Sequence, residues 1–273
     1  MAKTILITGA ASGFGKGAAI ELAKRGHKVL AGVRTEKEAS AVKAEAAAAG
    51  ADLEPIILDI TAADQREAAF ARQIDILVNN AAIMESGPVA EIPLELVRRN
   101  YETNVFGTLA MIQGFAPQMV KRGKGKIITV SSMGGLITFP FVGIYTSTKH
   151  ALEGIMEALQ AELAGTGVEV CTINPGAFKT GFNETGAQAM MAWFNPENTL
   201  SRPELLAGMA GGLDNQFDPQ IQIDDMVRVI EEEGSKFRNV CPEAIVPWIK
   251  AIQEHTWNVK GDESILLDPA SLK

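Results

Sequence analysis

A short apolar run rich in β-branched residues, Thr4-Ile5-Leu6-Ile7-Thr8, passes without interruption into Gly9-Ala10-Ala11-Ser12-Gly13-Phe14-Gly15. A helical pattern follows at once, over residues 13–25, with Gly26 placed to end it in the left-handed conformation. A strand that turns directly into a helix through glycines restricts the chain to few architectures. The glycines let backbone approach a ligand closely, and the helix N-terminus adds oriented N–H donors and positive potential, which together suit a pyrophosphate. The spacing is G-x-x-x-G-x-G rather than the general G-x-G-x-x-G. A tight turn with no ligand is the plain alternative. A magnesium-nucleotide loop is excluded, because Gly15-Lys16 is followed by Gly17 where a Ser or Thr is needed.

The same strand-to-helix step then repeats. Strands are expected over residues 28–33, 54–58, 74–78, 126–131 and 168–173. Helices are expected over 36–49, 62–73, 94–121 (with a break near Asn100–Asn104) and 148–164. Strands that are apolar throughout, alternating with helices, predict an α/β fold: a doubly wound parallel sheet covered on both faces. The 273 residues contain no repeat and no linker-like stretch, so a single domain is expected. Within it, residues 1–180 form the dinucleotide-binding core with the catalytic residues. Residues 181–220, where periodicity fails, form a substrate-binding lid, and residues 221–273 close the fold with helices near 224–233 and 242–254. With 47% hydrophobic residues the chain can fill such a core. A net charge of −8 opposes binding to nucleic acid or an anionic membrane. No run reaches the roughly 20 apolar residues of a membrane span, the N-terminal run is too short for a signal segment, and two cysteines fit a reducing compartment. The expectation is a cytoplasmic protein.

Tyr145-Thr146-Ser147-Thr148-Lys149 opens the helix that follows Ser131-Ser132. The i,i+4 spacing puts Tyr145 and Lys149 on one face. A neighbouring ammonium stabilises phenolate and lowers the tyrosine pKa, as proton transfer near neutral pH requires. A surface pair is the usual meaning of such spacing, but this chain has only two tyrosines and one stands here, after a strand ending in serines. Ser132 is not a nucleophile elbow, since Val130 occupies the place of the first glycine.

These pieces, in this order, resemble the short-chain dehydrogenase/reductase family over essentially the whole chain, most specifically over residues 4–180. They are the loop 8–15, Asp59 after the third strand, Asn79-Asn80-Ala81-Ala82 after the fourth, Asn104, Ser132, Tyr145, Lys149 and Pro175-Gly176. The resemblance implies a Rossmann-like fold and hydride transfer to or from a nicotinamide cofactor. It makes Tyr145 the general acid in carbonyl reduction and the base in alcohol oxidation. Lys149 would bind the nicotinamide ribose and depress the Tyr145 pKa, Ser132 would hold the substrate oxygen, and Asn104 would anchor a proton-relaying water. Cofactor contacts would come from Gly9, Ser12, Gly13, Phe14 and Gly15, from Asp59, Ile60, Asn80 and Ala81 on the adenine and ribose sides, and from Pro175, Gly176, Phe178 and Thr180 near the carboxamide. Ala82 departs from the family's glycine.

The second strand ends Ala31-Gly32-Val33-Arg34. Val33 falls where an NAD-selecting aspartate would stand, and the planar fork of Arg34 suits a 2′-phosphate. NADP(H) is therefore expected over NAD(H), unless Glu36 or Glu38 bends back to the ribose. Met84 and Met133 beside the catalytic motifs, with Met190, Met191, Trp193 and Phe194 in the lid, point to an adaptable apolar pocket for a ketone, aldehyde or alcohol. His27, His150 and His255 are scattered, so no metal site is expected. Leu152, Ile155, Met156, Leu159 and Leu163 stripe the helix after Tyr145. Relatives commonly pair this helix in a homodimer or homotetramer, which is the expectation here. The competing readings are an NAD-dependent alcohol dehydrogenase and a cofactor-sensing regulator without turnover.

Overall fold

The computed structural model describes residues 1–202, 205 and 215–265. Among them, seven strands form one sheet in the order β3-β2-β1-β4-β5-β6-β7, with every neighbouring pair parallel. The strands are β1 (Thr4–Ile7), β2 (Lys28–Val33), β3 (Glu54–Ile57), β4 (Ile76–Asn79), β5 (Gly125–Val130), β6 (Val168–Pro175) and β7 (Arg238–Cys241). The helices between them are α1 (Gly13–Lys24), α2 (Glu36–Ala48), α3 (Ala63–Phe70), α4 (Leu94–Tyr101), α5 (Thr108–Arg122), α6 (Gly143–Leu163), α7 (Phe182–Met191), α8 (Pro219–Glu231) and α9 (Val246–His255).

Period-2 alternation sends successive strand residues to opposite faces, and here both faces are apolar. Ile5, Ile7, Val29, Ala31, Ile76 and Val78 pack with Ala18, Leu22, Val42 and Val227 of α1, α2 and α8. Leu6, Leu30, Leu77 and Ile127 face the other way, onto Met111, Phe115 and Met119 of α5 and Met156 of α6. A third, smaller cluster joins Ile249 and Ile252 of α9 to Ile137, covering the loop that follows Ser132.

Four expectations need correction. The strand β7 was not foreseen: two of its four residues are Arg238 and Asn239, and an edge strand need not read as an apolar run. Residues 221–273 therefore contain a strand between their two helices. The lid region is not uniformly irregular, because α7 occupies its first part; Gly181 in left-handed conformation precedes it and Gly186 interrupts its apolar spacing. Met209 and the other residues of the lid at 203–204 and 206–214 lie outside the described residues. The expected break near Asn100–Asn104 is a π-helical turn (Glu102–Gly107) that joins α4 to α5 without ending either. Finally, α6 starts at Gly143, five residues before the expected start at 148. Cys171 and Cys241 are buried free thiols. No helix among the described residues is long and apolar enough to cross a membrane.

Candidate active site

All the strands run one way, so the turns after β1, β4, β5 and β6 gather at one edge of the sheet. The turn after β1 has the form of a cradle. Gly9 and Gly13 hold φ of +65° and +54°, which side chains rarely tolerate. A Cβ at Gly13 would meet only Thr180, at 3.8 Å, so the space above that turn is open. A Cβ at Gly15 would fall 2.4 Å from Asn80 Nδ2 and 2.7 Å from the Gly9 carbonyl oxygen. Ser12 caps α1 without a side-chain bond to it, and the first turn carries no acidic residue, so its N–H donors and positive end face outward. A dinucleotide pyrophosphate fits this cradle.

The walls of the cradle are braced by hydrogen bonds. Thr8 Oγ1 accepts from the backbone N–H groups of Asn80 and Ala81, each at 3.0 Å. Asn80 Nδ2 donates to the carbonyls of Thr8 at 2.9 Å and Gly9 at 3.1 Å, so this amide holds the turn in shape instead of reaching outward. Phe14 meets Phe178 edge-on with ring centroids 5.5 Å apart, which docks the loop after β6 onto the start of α1. Asp59 Oδ1 accepts from the Thr61 amide and hydroxyl, and Ile60 packs under Gly107 of the π-turn.

Ser132 and Tyr145 stand on neighbouring segments at this edge. Tyr145 is only 8% exposed, and burial raises its phenol above the ordinary range, while the Ser132 hydroxyl opposes that rise. The expected lowering by Lys149 is thus not what dominates; burial is. Lys149 Nζ donates to the Val130 carbonyl at 2.8 Å and lies 5.7 Å from the centre of the Tyr145 ring. Burial lowers Lys149 to about 8, with Glu153 pulling the other way. Phe182 of α7 lies 5.7 Å from Tyr145, ring to ring, and was missed because the lid shows no periodicity in sequence.

Asn104 sits fully buried in the π-turn and joins three segments. Its Oδ1 accepts from the Ile83 amide at 2.9 Å, while Nδ2 donates to the Ile83 carbonyl at 2.9 Å and to Thr148 Oγ1 at 3.1 Å. Thr148 in turn donates to the Tyr145 carbonyl at 2.6 Å. A second link runs from the Tyr101 hydroxyl to Ser147 at 3.0 Å, and from Ser147 to the Ile144 carbonyl at 2.7 Å. The first turn of α6, which carries Tyr145, is therefore clamped from below.

The remaining predicted residues are spread around the rim. Arg34 is two-thirds exposed, and its side chain lies 3.5 Å from Glu38, whose other oxygen accepts from the Arg34 amide at 2.8 Å. Glu36 is exposed. Pro175 is buried at the end of β6, with Gly176 bonded to the Cys241 carbonyl at 2.8 Å. Met84 lies against Gly186 of α7, Met190 is buried on the same helix, and Trp193 covers Gly87. Met133 packs instead against the cluster of Ile137, Ile249 and Ile252.

A family model described as short chain dehydrogenase matches residues 3–190. An uncharacterized oxidoreductase, YusZ, from Bacillus subtilis is 38% identical over 198 residues, 70% of each chain. A 3-ketodihydrosphingosine reductase from Bacteroides thetaiotaomicron is 37% identical over 186 residues, 66% of this chain and 65% of that protein. A Burkholderia phymatum short chain dehydrogenase/reductase solved with NAD shares the fold, with a TM-score of 0.81 at 24% identity over 97% of this chain and 98% of that one. A short chain dehydrogenase from Burkholderia cenocepacia solved with NADP gives a TM-score of 0.70 at 26% identity, over 94% and 93%.

The clamp beneath Tyr145 has a measurable cost of removal. Asn104→Ala removes the partner of the part-buried Ile83 N–H and C=O and of Thr148, a loss of about 1–3 kcal/mol in unfolding free energy. Urea denaturation of the variant against wild type measures it; an unchanged midpoint would mean these bonds do not hold the segments together.

Proposed function

The chain belongs to the short-chain dehydrogenase/reductase family, and we propose that it is an NADP(H)-dependent oxidoreductase interconverting an apolar ketone or aldehyde with the corresponding alcohol. The observation that carries the reading is the placement of Ser132, Tyr145 and Lys149 beside an anion cradle at one sheet edge. A bound nicotinamide cofactor supplies or accepts the hydride. Gly9, Ser12, Gly13, Phe14 and Gly15 would hold its pyrophosphate, Asp59 and Ile60 its adenine side, and the segment from Pro175 to Thr180 its carboxamide.

The chain's own groups handle the proton. In reduction the Ser132 hydroxyl donates to the substrate oxygen and keeps it beside Tyr145. The Tyr145 hydroxyl gives its proton to that oxygen as the alcohol forms. A phenol raised by burial keeps its proton at neutral pH but is a weak acid, because its site is a poor place to leave negative charge. The Lys149 ammonium, 5.7 Å from the ring, answers this by stabilising the phenolate. In the oxidative direction the same phenolate receives the proton.

Substrate and cofactor class rest on the rim. Phe182 beside Tyr145, with Met84, Met190 and Trp193 on or next to α7, supports a hydrophobic carbonyl compound, such as the 3-ketodihydrosphingosine in the name of the Bacteroides relative. Arg34 supports NADP(H). The alternative, NAD(H), is favoured by one contact: the Glu38 carboxylate lies on the Arg34 amide and side chain, where it would accept from a ribose diol. A regulator without turnover has no such contact in its favour. The buried free thiols Cys171 and Cys241 fit a reducing cytoplasm. A shallow apolar groove between α5 and α6, lined by Leu109, Ile112, Ala116, Val120, Leu159 and Leu163, supports a homodimer or homotetramer paired through these helices.

Tyr145→Phe removes the proton donor but keeps the ring, so carbonyl reduction followed by NADPH absorbance should fall by at least about 10²-fold with NADPH affinity nearly unchanged. Normal turnover would take Tyr145 out of the mechanism. Arg34→Ala should weaken NADPH at least about tenfold more than NADH in fluorescence titrations; equal losses would mean the guanidinium never meets a 2′-phosphate. Sedimentation equilibrium should return a mass of two or four chains, and a single-chain mass would set the pairing aside.

A further inference from the structure

Glu153 lies on α6 one turn beyond Lys149, on the same face, and is 5% exposed. Both carboxylate oxygens are committed. Oε1 accepts from Asn174 Nδ2 at 2.6 Å, and Oε2 accepts from Arg238 Nε at 3.1 Å and from its terminal nitrogen at 3.0 Å. Asn174 Nδ2 also donates to the Ser132 carbonyl, at 3.2 Å. Arg238 reaches back to Glu157 at 2.7 Å. The turn after Ser132 closes down on the carboxylate, since a Cβ at Gly135 would stand 3.1 Å from Glu153 Cγ. The cluster thus draws on α6, β6, β7 and the segment that carries Ser132.

Stability alone does not call for this arrangement. A buried ion pair is often replaced by apolar side chains of the same volume at no loss, because desolvation offsets the attraction. What an apolar residue could not do is act on Lys149. The groups facing Lys149 are Tyr145 and Glu153 from its own helix and the Val130 carbonyl from β5; Asn174 of β6 is uncharged, and Arg238 of β7 pairs with Glu153 and Glu157. Burial drives Lys149 toward the neutral amine, and the one charge opposing it is Glu153.

We propose that Glu153 is a positioning residue for the reaction: through Asn174 it fixes the segment bearing Ser132, and from one turn along α6 it stands as the acidic neighbour of Lys149. This rests on the reading of Lys149 as the group that meets the nicotinamide ribose and supports Tyr145. Glu153 itself touches no reacting atom.

The test is the pH dependence of cofactor affinity, read by fluorescence titration with NADPH (or NADH, should that bind tighter) between about pH 6 and 9.5, alongside kcat/KM for a carbonyl substrate. Below its pKa Lys149 is charged and holds the ribose, so wild-type binding should weaken as pH rises through about 8. Glu153→Gln keeps an acceptor for Asn174 but removes the charge favouring the cation, so the midpoint should fall by about one pH unit. Glu153→Asp restores the charge and should return the midpoint toward wild type. Arg238→Gln leaves the carboxylate without its counter-charge and should move the midpoint upward. A midpoint that stays put in Glu153→Gln, or a uniform loss of affinity without a shift, overturns the proposal. Should Glu153→Gln not fold, the partly exposed Arg238 position decides: an upward shift supports the proposal and none overturns it. Affinity needs no turnover, so tight, pH-dependent binding with no reduction of any carbonyl would count against the reductase reading and leave this one standing.

Discussion

A sheet made only of parallel strands cannot present a face to water without exposing apolar side chains, and every strand must be reached by a crossover. That constraint governs the rest of this structure. It requires α1, α2 and α8 on one side and α3, α5 and α6 on the other, and it delivers every strand-to-helix turn to the same edge. The glycine cradle, Ser132 and the Pro175-Gly176 turn meet there because the sheet has no other carboxyl edge. No local sequence preference could bring residues so far apart in the chain to one place.

Holding the site in position is a polar task inside an apolar frame. From the π-turn between α4 and α5, Asn104 pairs both backbone groups of Ile83 and bonds Thr148, which passes the grip on to Tyr145. Thr8 and Asn80 do the same for the cradle. Thr8, Asn104 and Thr148 are buried, Asn80 is partly so, and each is partnered, as a buried polar group must be. The same burial that makes the bonds firm raises the phenol of Tyr145 and lowers Lys149, so rigidity and proton chemistry share one cause.

The parts of the fold legible in the sequence are those with two apolar faces. Residues such as Ile5-Leu6-Ile7 announce a strand buried on both sides, and six of the seven strands were readable on that basis. The seventh, with Arg238 and Asn239, was hidden by its place at the sheet edge. The helix α7 was hidden by Gly186, whose lack of a side chain accommodates Met84 and so breaks the stripe that would have revealed it. For the site, the Ser132, Tyr145 and Lys149 spacing was legible from motif order. The partners that hold these residues were not: Thr148 and Asn174 look like ordinary polar residues until the chain is folded. Glu153 alone had a signal available, its four-residue spacing from Lys149.

Trp193 rests on Gly87, where φ is +143° and a Cβ would lie 2.1 Å from the indole, so no other residue offers that seat. The two other tryptophans occupy different surroundings. Trp248 stacks on Phe139 with ring centroids 5.8 Å apart, and Trp257 is 87% exposed. One indole thus lies on Gly87 just beyond α7, one is stacked in the C-terminal cap and one stands in water. The chain thereby carries a built-in optical probe: Trp257 can be quenched selectively by a solute, and Trp248 gives a constant background. Emission from Trp193 then reports whether the rim is seated.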